Sequence, residues 1–307
     1  MSRWLFFLLP LALSAPAAAA AFKPARISVE VRGSGPDVIL VPGLSSSRGV
    51  WNGTVAAVPG YRYHLVQVAG FAGTPPGGNS AGPVAAPVAD EIARYIAANR
   101  LGRPAIVGHS MGGSIAMMIG ARHSALAGRV MVVDMLPSPV RPLGVRPSAV
   151  KPLATLIGGE MAGAGRLRRD LKSLVGRFGN SDWLDSRNDA GVVGRSVSEL
   201  LSTDLTSELP RIRAPLTVVY ACPRLSYACG TVSRAYSAAY SRRPGTKLVR
   251  IDRSGHTPMW DQPAAFRPSF GASWKGARAG SVIARSEATK QSNGPRRPYW
   301  IASLRSQ

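Results

Sequence analysis

Cysteine, histidine and acidic side chains are all scarce in this chain, and each scarcity narrows its chemistry. The 307 residues hold two cysteines, Cys222 and Cys229, with six residues between them. No other Cys or His gathers near them, which argues against a metal site. Their spacing is not Cys-x-x-Cys and no helix start is read beside them, so a thiol-redox protein is a poor reading. In an oxidising compartment they could close a short disulfide, although spacing alone does not bring two Cα atoms together. Sixteen Asp and Glu stand against 38 Lys and Arg, giving a formal charge of +22. The excess is scattered, mostly as arginine, and no basic stripe alternates with aromatic residues. That excludes a nucleic-acid site and leaves a solvated basic surface, with at most weak attraction to anionic envelope surfaces. There are four histidines, so the search for a catalytic base is short. Beyond the amino terminus no apolar run is long enough to span a bilayer.

What is present begins with residues 1–21, where Arg3 precedes an apolar run from Trp4 to Leu13 and small residues end at Ala21. The run is about half of what a bilayer requires, so it reads as a secretory signal peptide rather than a span. An uncleaved anchor is the competing reading. Cleavage near Ala19 to Ala21 would place the mature protein in a periplasm or outside the cell. From Ile27 to about Asp261 apolar strands alternate with helical periodicity, which predicts an α/β fold with a mostly parallel sheet flanked by helices. Strands are expected at Ile27–Val31, Asp37–Val41, His64–Val68, Ala105–Val107, Arg129–Val133, Leu216–Tyr220 and Lys247–Ile251. Helices are expected at residues 84–100, at Ser114–Arg122 and near 232–241. Residues 137–210 break the rhythm with Pro, Gly and Arg, with helical stretches around 163–176 and 192–201.

The segment Pro104-Ala105-Ile106-Val107-Gly108-His109-Ser110-Met111-Gly112-Gly113 carries the chemistry: a buried strand enters Gly-x-Ser-x-Gly and a helix leaves it. A turn this sharp needs Gly108 and Gly112, because a Cβ at either would crowd the neighbouring backbone. The same pattern at Gly78-Asn79-Ser80-Ala81-Gly82 has neither flank and carries no such meaning. Ser110 in its context resembles the nucleophile elbow of an α/β-hydrolase, and Gly33 to about Phe266 resembles that family. The resemblance implies a core at residues 22–136, a helical cap at 137–210 and the rest of the core at 211–266. Residues 267–307 read as a disordered basic tail in place of the family's closing amphipathic helix. Its SVIARSEATKQSNGPRRPYWIASLRSQ resembles a translated intergenic repeat, as a frameshift or readthrough would append.

A serine hydroxyl is a poor nucleophile until a base takes its proton. Among the four histidines, His109 sits inside the elbow with its side chain expected to point away, His64 begins a strand, and His123 ends the elbow helix. His256, in Ser254-Gly255-His256-Thr257-Pro258-Met259 after the last strand, lies where the family places its catalytic histidine. The oxyanion amides are expected at Met111 and, from Val41-Pro42-Gly43-Leu44-Ser45-Ser46, at Leu44. The family usually supplies the acid after the strand at 216–220, but Ala221 to Cys229 contains no carboxylate. Asp134, after the preceding strand, is the candidate. Asp204 and Asp252 read as structural, and a Ser110–His256 dyad is the alternative. These residues imply a cofactor-free serine hydrolase with no metal, acting through an acyl-enzyme on a small-molecule substrate. Carboxylic esters are the first expectation, amides or peptides the second. The rival reading is a non-catalytic or decayed relative that binds a ligand.

Overall fold

The computed structural model describes residues 22–149, 152, 187–223 and 226–272. The signal-peptide reading, the helix expected around 163–176 and residues 273–307 lie outside them. The described residues all lie in one compact unit.

Seven strands form one sheet in the order β1-β3-β2-β4-β5-β6-β7. They are β1 (Ile27–Arg32), β2 (Asp37–Val41), β3 (Arg62–Val68), β4 (Ala105–His109), β5 (Arg129–Val133), β6 (Leu216–Cys222) and β7 (Lys247–Asp252). Only β1 runs antiparallel, against β3; every other pairing is parallel. Burial follows from that layout. The interior strands β2, β4, β5 and β6 are near-continuous apolar runs because helices cover both faces. Edge strands β1 and β7 keep exposed positions instead.

The described helices are α1 (Asn52–Ala57), α2 (Ala85–Ala98), α3 (Met111–Arg122), α4 (Ala190–Ser202), α5 (Ser226–Tyr240), α6 (Pro258–Asp261) and α7 (Pro263–Ala272). None of them is long and apolar enough to cross a membrane. In α2, Val88, Ile92 and Ile96 line the buried face, as a 3.6-residue repeat requires. Met111 through Ala121 of α3 are all buried, so this helix is enclosed on every side. Two carboxylates do structural work at the ends of other elements. Glu91 is 3% exposed and accepts from the amides of Arg26 and Ile27 at 2.6 and 3.2 Å. Glu199 of α4 accepts from Val84, Ala85 and Ala86 at 2.6, 2.7 and 2.9 Å, capping α2 from a distant part of the chain.

Three sequence expectations change. The elbow helix starts at Met111 rather than Ser114. Helix α5 starts at Ser226 rather than near residue 232, so Cys222 ends a strand and Cys229 occupies the first turn of a helix. A tight β6-to-α5 connection thereby presents a thiol at a helix start, contrary to the sequence reading, and the two sulfurs are joined across Cα atoms 5.2 Å apart. Finally, α7 continues to Ala272, past the boundary placed at residue 266. Phe266, fully buried, anchors it, and Pro268 is accommodated inside it.

Candidate active site

The chain changes direction across the sheet between β2 and β4, the place where loops of a parallel sheet diverge at the carboxyl ends of the strands. Every catalytic candidate comes to this edge. Ser110 has φ 53° and ψ −122°, a conformation strained for a residue with a Cβ. It is held there by its amide donating to the Val133 carbonyl at 2.9 Å, while its own carbonyl receives Gly113 N–H at 2.7 Å. A Cβ on Gly108 would overlap the Gly112 carbonyl, and one on Gly112 would overlap the carbonyls of Val41 and Pro42. Both glycines are therefore required by close backbone approach, as the sequence suggested. Met111 opens α3 directly after the serine, where the helix dipole favours negative charge.

The loop after β2 packs against this turn. A Cβ on Gly43 would stand 3.1 Å from the Ser110 Cβ and 3.0 Å from His109 Nδ1. Leu44 follows in a tight turn closed by Ser46 N–H to the Gly43 carbonyl at 3.3 Å, with Ser45 at φ 60°. Asn188 reaches the Ser45 carbonyl at 3.4 Å and accepts from Ala72 N–H at 2.9 Å. The segment entering α4 thus braces both the Leu44 turn and the loop after β3 at Ala72.

Asp134 and His256 meet although 122 positions separate them: His256 Nδ1 lies 2.7 Å from Asp134 Oδ2. A carboxylate only accepts, so Nδ1 carries the proton and the lone pair falls on Nε2. Asp134 Oδ1 accepts from the Ala221 amide and from the Tyr236 hydroxyl, each at 2.9 Å. Asp134 itself has φ 50° and donates its amide to the Val219 carbonyl at 2.8 Å. The His256 loop is tied at three points. Ser254 N–H donates to the Cys222 carbonyl at 3.0 Å, Gly255 N–H to Asp261 Oδ2 at 2.9 Å, and His109 Nε2 to the His256 carbonyl at 2.7 Å.

His109 is one site residue that the sequence reading set aside. Its ring stands 4.8 Å from that of His256, and burial, with His256 nearby, pushes its pKa down to about 3. It is a neutral donor that ties the serine's strand to the histidine's loop. Tyr236 is the other omission, since a tyrosine at helical spacing reads simply as core. The remaining histidines lie elsewhere: His64 bonds Asp37 and Tyr95, and His123 bonds Asp90. Asp204 caps Thr206 and pairs with Arg141, and Asp252 pairs with Arg250. Among the described residues, one group has metal-ligand chemistry, Cys222, Cys229 and Asp252. With the sulfurs joined it offers a single carboxylate.

A mostly parallel sheet with a strained serine between a strand and its helix, and a carboxylate-bound imidazole in the loop after the last strand, defines a hydrolase of the α/β type. Residues 38–268 match the model of the alpha/beta hydrolase family, and the chain belongs to that family. It is similar to the pimeloyl-[acyl-carrier protein] methyl ester esterase of Nitrosomonas europaea, at 24% identity over 81% of this chain and 99% of the relative. The N-formylmaleamate deformylase of Pseudomonas putida is 26% identical over 78% of this chain and 88% of its own length. Among solved structures, an esterase from Exiguobacterium antarcticum has the same fold at 18% identity and a TM-score of 0.61, covering 80% of this chain and 94% of that one.

Proposed function

We propose that this protein is a serine hydrolase that cleaves carboxylic esters through an acyl-enzyme. The observation that carries the reading is the 2.7 Å contact between His256 Nδ1 and Asp134 Oδ2, in a chain with an elbow serine at the end of β4. In this scheme Ser110 Oγ attacks the ester carbonyl carbon while His256 Nε2 takes its proton. The carbonyl oxygen becomes an oxyanion received by the Leu44 and Met111 amides. Collapse expels the alcohol, which takes the proton from Nε2 and leaves the acyl group on Ser110. Water then attacks the acyl carbon, again giving its proton to Nε2, and the carboxylic acid leaves as Ser110 is restored. Asp134 keeps the tautomer and balances the imidazolium in both halves.

The ester preference rests on relatives named for methyl ester cleavage; the named deformylase supports amides as second choice. The non-catalytic rival has two supports, the missing acid after β6 and the altered carboxyl end; Asp134 at the end of β5 answers the first by bonding His256. A periplasmic or extracellular site is supported by the amino-terminal composition and by the joined Cys222 and Cys229. The test is intact mass after exposure to a fluorophosphonate. A single adduct absent from Ser110→Ala is the expected result; no adduct on folded protein would end the enzyme reading.

A further inference from the structure

Helix α5 carries none of the catalytic candidates, yet it reaches the turn after β5 at two consecutive residues, Asp134 and Met135. Tyr236 and Tyr240, four apart and so on one face, are 7% and 2% exposed. The Tyr236 hydroxyl donates to Asp134 Oδ1 at 2.9 Å, and the Tyr240 hydroxyl donates to the Met135 carbonyl at 2.6 Å. The Tyr236 ring is fixed by stacking on Tyr220, with centroids 4.5 Å apart and planes 17° from parallel. The turn they grip needs holding, because Asp134 at φ 50° adopts a conformation an ordinary side chain rarely occupies.

Resting on the catalytic reading above, we propose that Tyr236 is a positioning residue for the reaction, acting through Asp134. Its hydroxyl and the Ala221 amide both grip Oδ1, so the carboxylate has one rotational setting and Oδ2 is the oxygen offered to His256. The hydroxyl also draws charge from the carboxylate, which moderates how strongly the imidazolium is stabilised. Burial pushes the Tyr236 and Tyr240 phenols well above their ordinary range, so both remain donors, and His109 stays neutral. An acidic limb in a pH–rate profile is therefore not that of Tyr236, Tyr240 or His109.

The experiment measures the second-order rate of Ser110 labelling by a fluorophosphonate as a function of pH, with folding checked by near-ultraviolet circular dichroism. Wild type must label first; failure there would overturn the catalytic reading, not this one. Tyr236→Phe is expected to label about tenfold more slowly, with its acidic limb moved to higher pH because the carboxylate is less well shared. Added to Asp134→Asn it should cause no further loss, since its effect runs through that carboxylate. Unchanged rate and limb in folded Tyr236→Phe, or full additivity in the double variant, would overturn the inference. Should Tyr236→Phe not fold, protein containing 3-fluorotyrosine decides. Its stronger phenol donor should move the limb to lower pH, and an unmoved limb would refute the role.

Discussion

Replacing Asp134 by Asn preserves volume and shape and isolates what the charge and its orientation contribute. Oδ1 is the oxygen to which the Ala221 amide and the Tyr236 hydroxyl both donate. An asparagine must present its carbonyl oxygen there, since turning its NH2 toward two donors would leave all three groups opposed. The NH2 then faces His256 Nδ1 at the position now 2.7 Å away. Facing a donor, Nδ1 must accept, and the imidazole proton moves to Nε2, the nitrogen required as the base. An inverted tautomer of this kind costs about 10⁴ in kcat in the Ser-His-Asp triad of serine proteases. At about 1.36 kcal/mol per decade the loss corresponds to about 5 kcal/mol of transition-state stabilisation. The assay is hydrolysis of a short-chain aryl ester, with fluorophosphonate labelling as a substrate-independent check. Asp252→Asn and Asp204→Asn, whose partners are Arg250 and Arg141, should keep the parent rate. A loss below tenfold in folded Asp134→Asn would refute the assignment of the acid and favour a Ser110–His256 dyad.

Other consequences concern stability. Reducing the Cys222–Cys229 bond, or replacing both by Ser, opens a loop whose ends are 7 positions apart; loop closure over that length is worth about 2 kcal/mol, readable as a lower denaturant midpoint without reductant effects on the double variant. Glu199→Ala removes the acceptor for three amides at the start of α2 and should destabilise by about 1–2 kcal/mol in the same measurement. His109 is fully buried with its pKa pushed to about 3 from an ordinary 6.5, so the unfolded chain binds its proton first. Stability is then complete above about pH 6.5 and falls as pH drops toward 3, by up to about 1.4 kcal/mol per unit; His109→Gln should flatten that slope in melts between pH 6 and 4, and an unchanged slope would contradict the burial argument.

Much of the fold was legible because parallel, doubly covered strands carry a strong signal. Each of the seven expected strands is present, and differences are confined to ends such as β6, which runs to Cys222 rather than Tyr220. Ser110 and its glycines were legible for a local reason: the elbow is built from adjacent residues, and steric exclusion at Gly108 and Gly112 is written in their missing side chains. Helix α5 was read short at its amino end because Ser226 to Gly230 has weak apolar periodicity, and the link to Cys222 supplies what the pattern lacks. The extension of α7 to Ala272 was obscured by Pro268, which a helix interior ordinarily disfavours.

The acid was the least legible part of the site, and the reason lies in which atoms do the work. The resembled family usually offers a carboxylate just after the strand that here is β6, and this chain has none there. Yet the end of β6 still reaches Asp134 and the His256 loop through its backbone. Ala221 N–H donates to Asp134 Oδ1, and the Cys222 carbonyl accepts from Ser254, two residues before His256. Sequence patterns register side chains, so a position that contributes only an amide or a carbonyl leaves no trace in residue type. Moving the carboxylate one strand over, to the end of β5, keeps it within reach of the same histidine because β5 and β6 are adjacent and parallel. Cys222 is instead joined to α5, the helix that carries Tyr236 to Asp134.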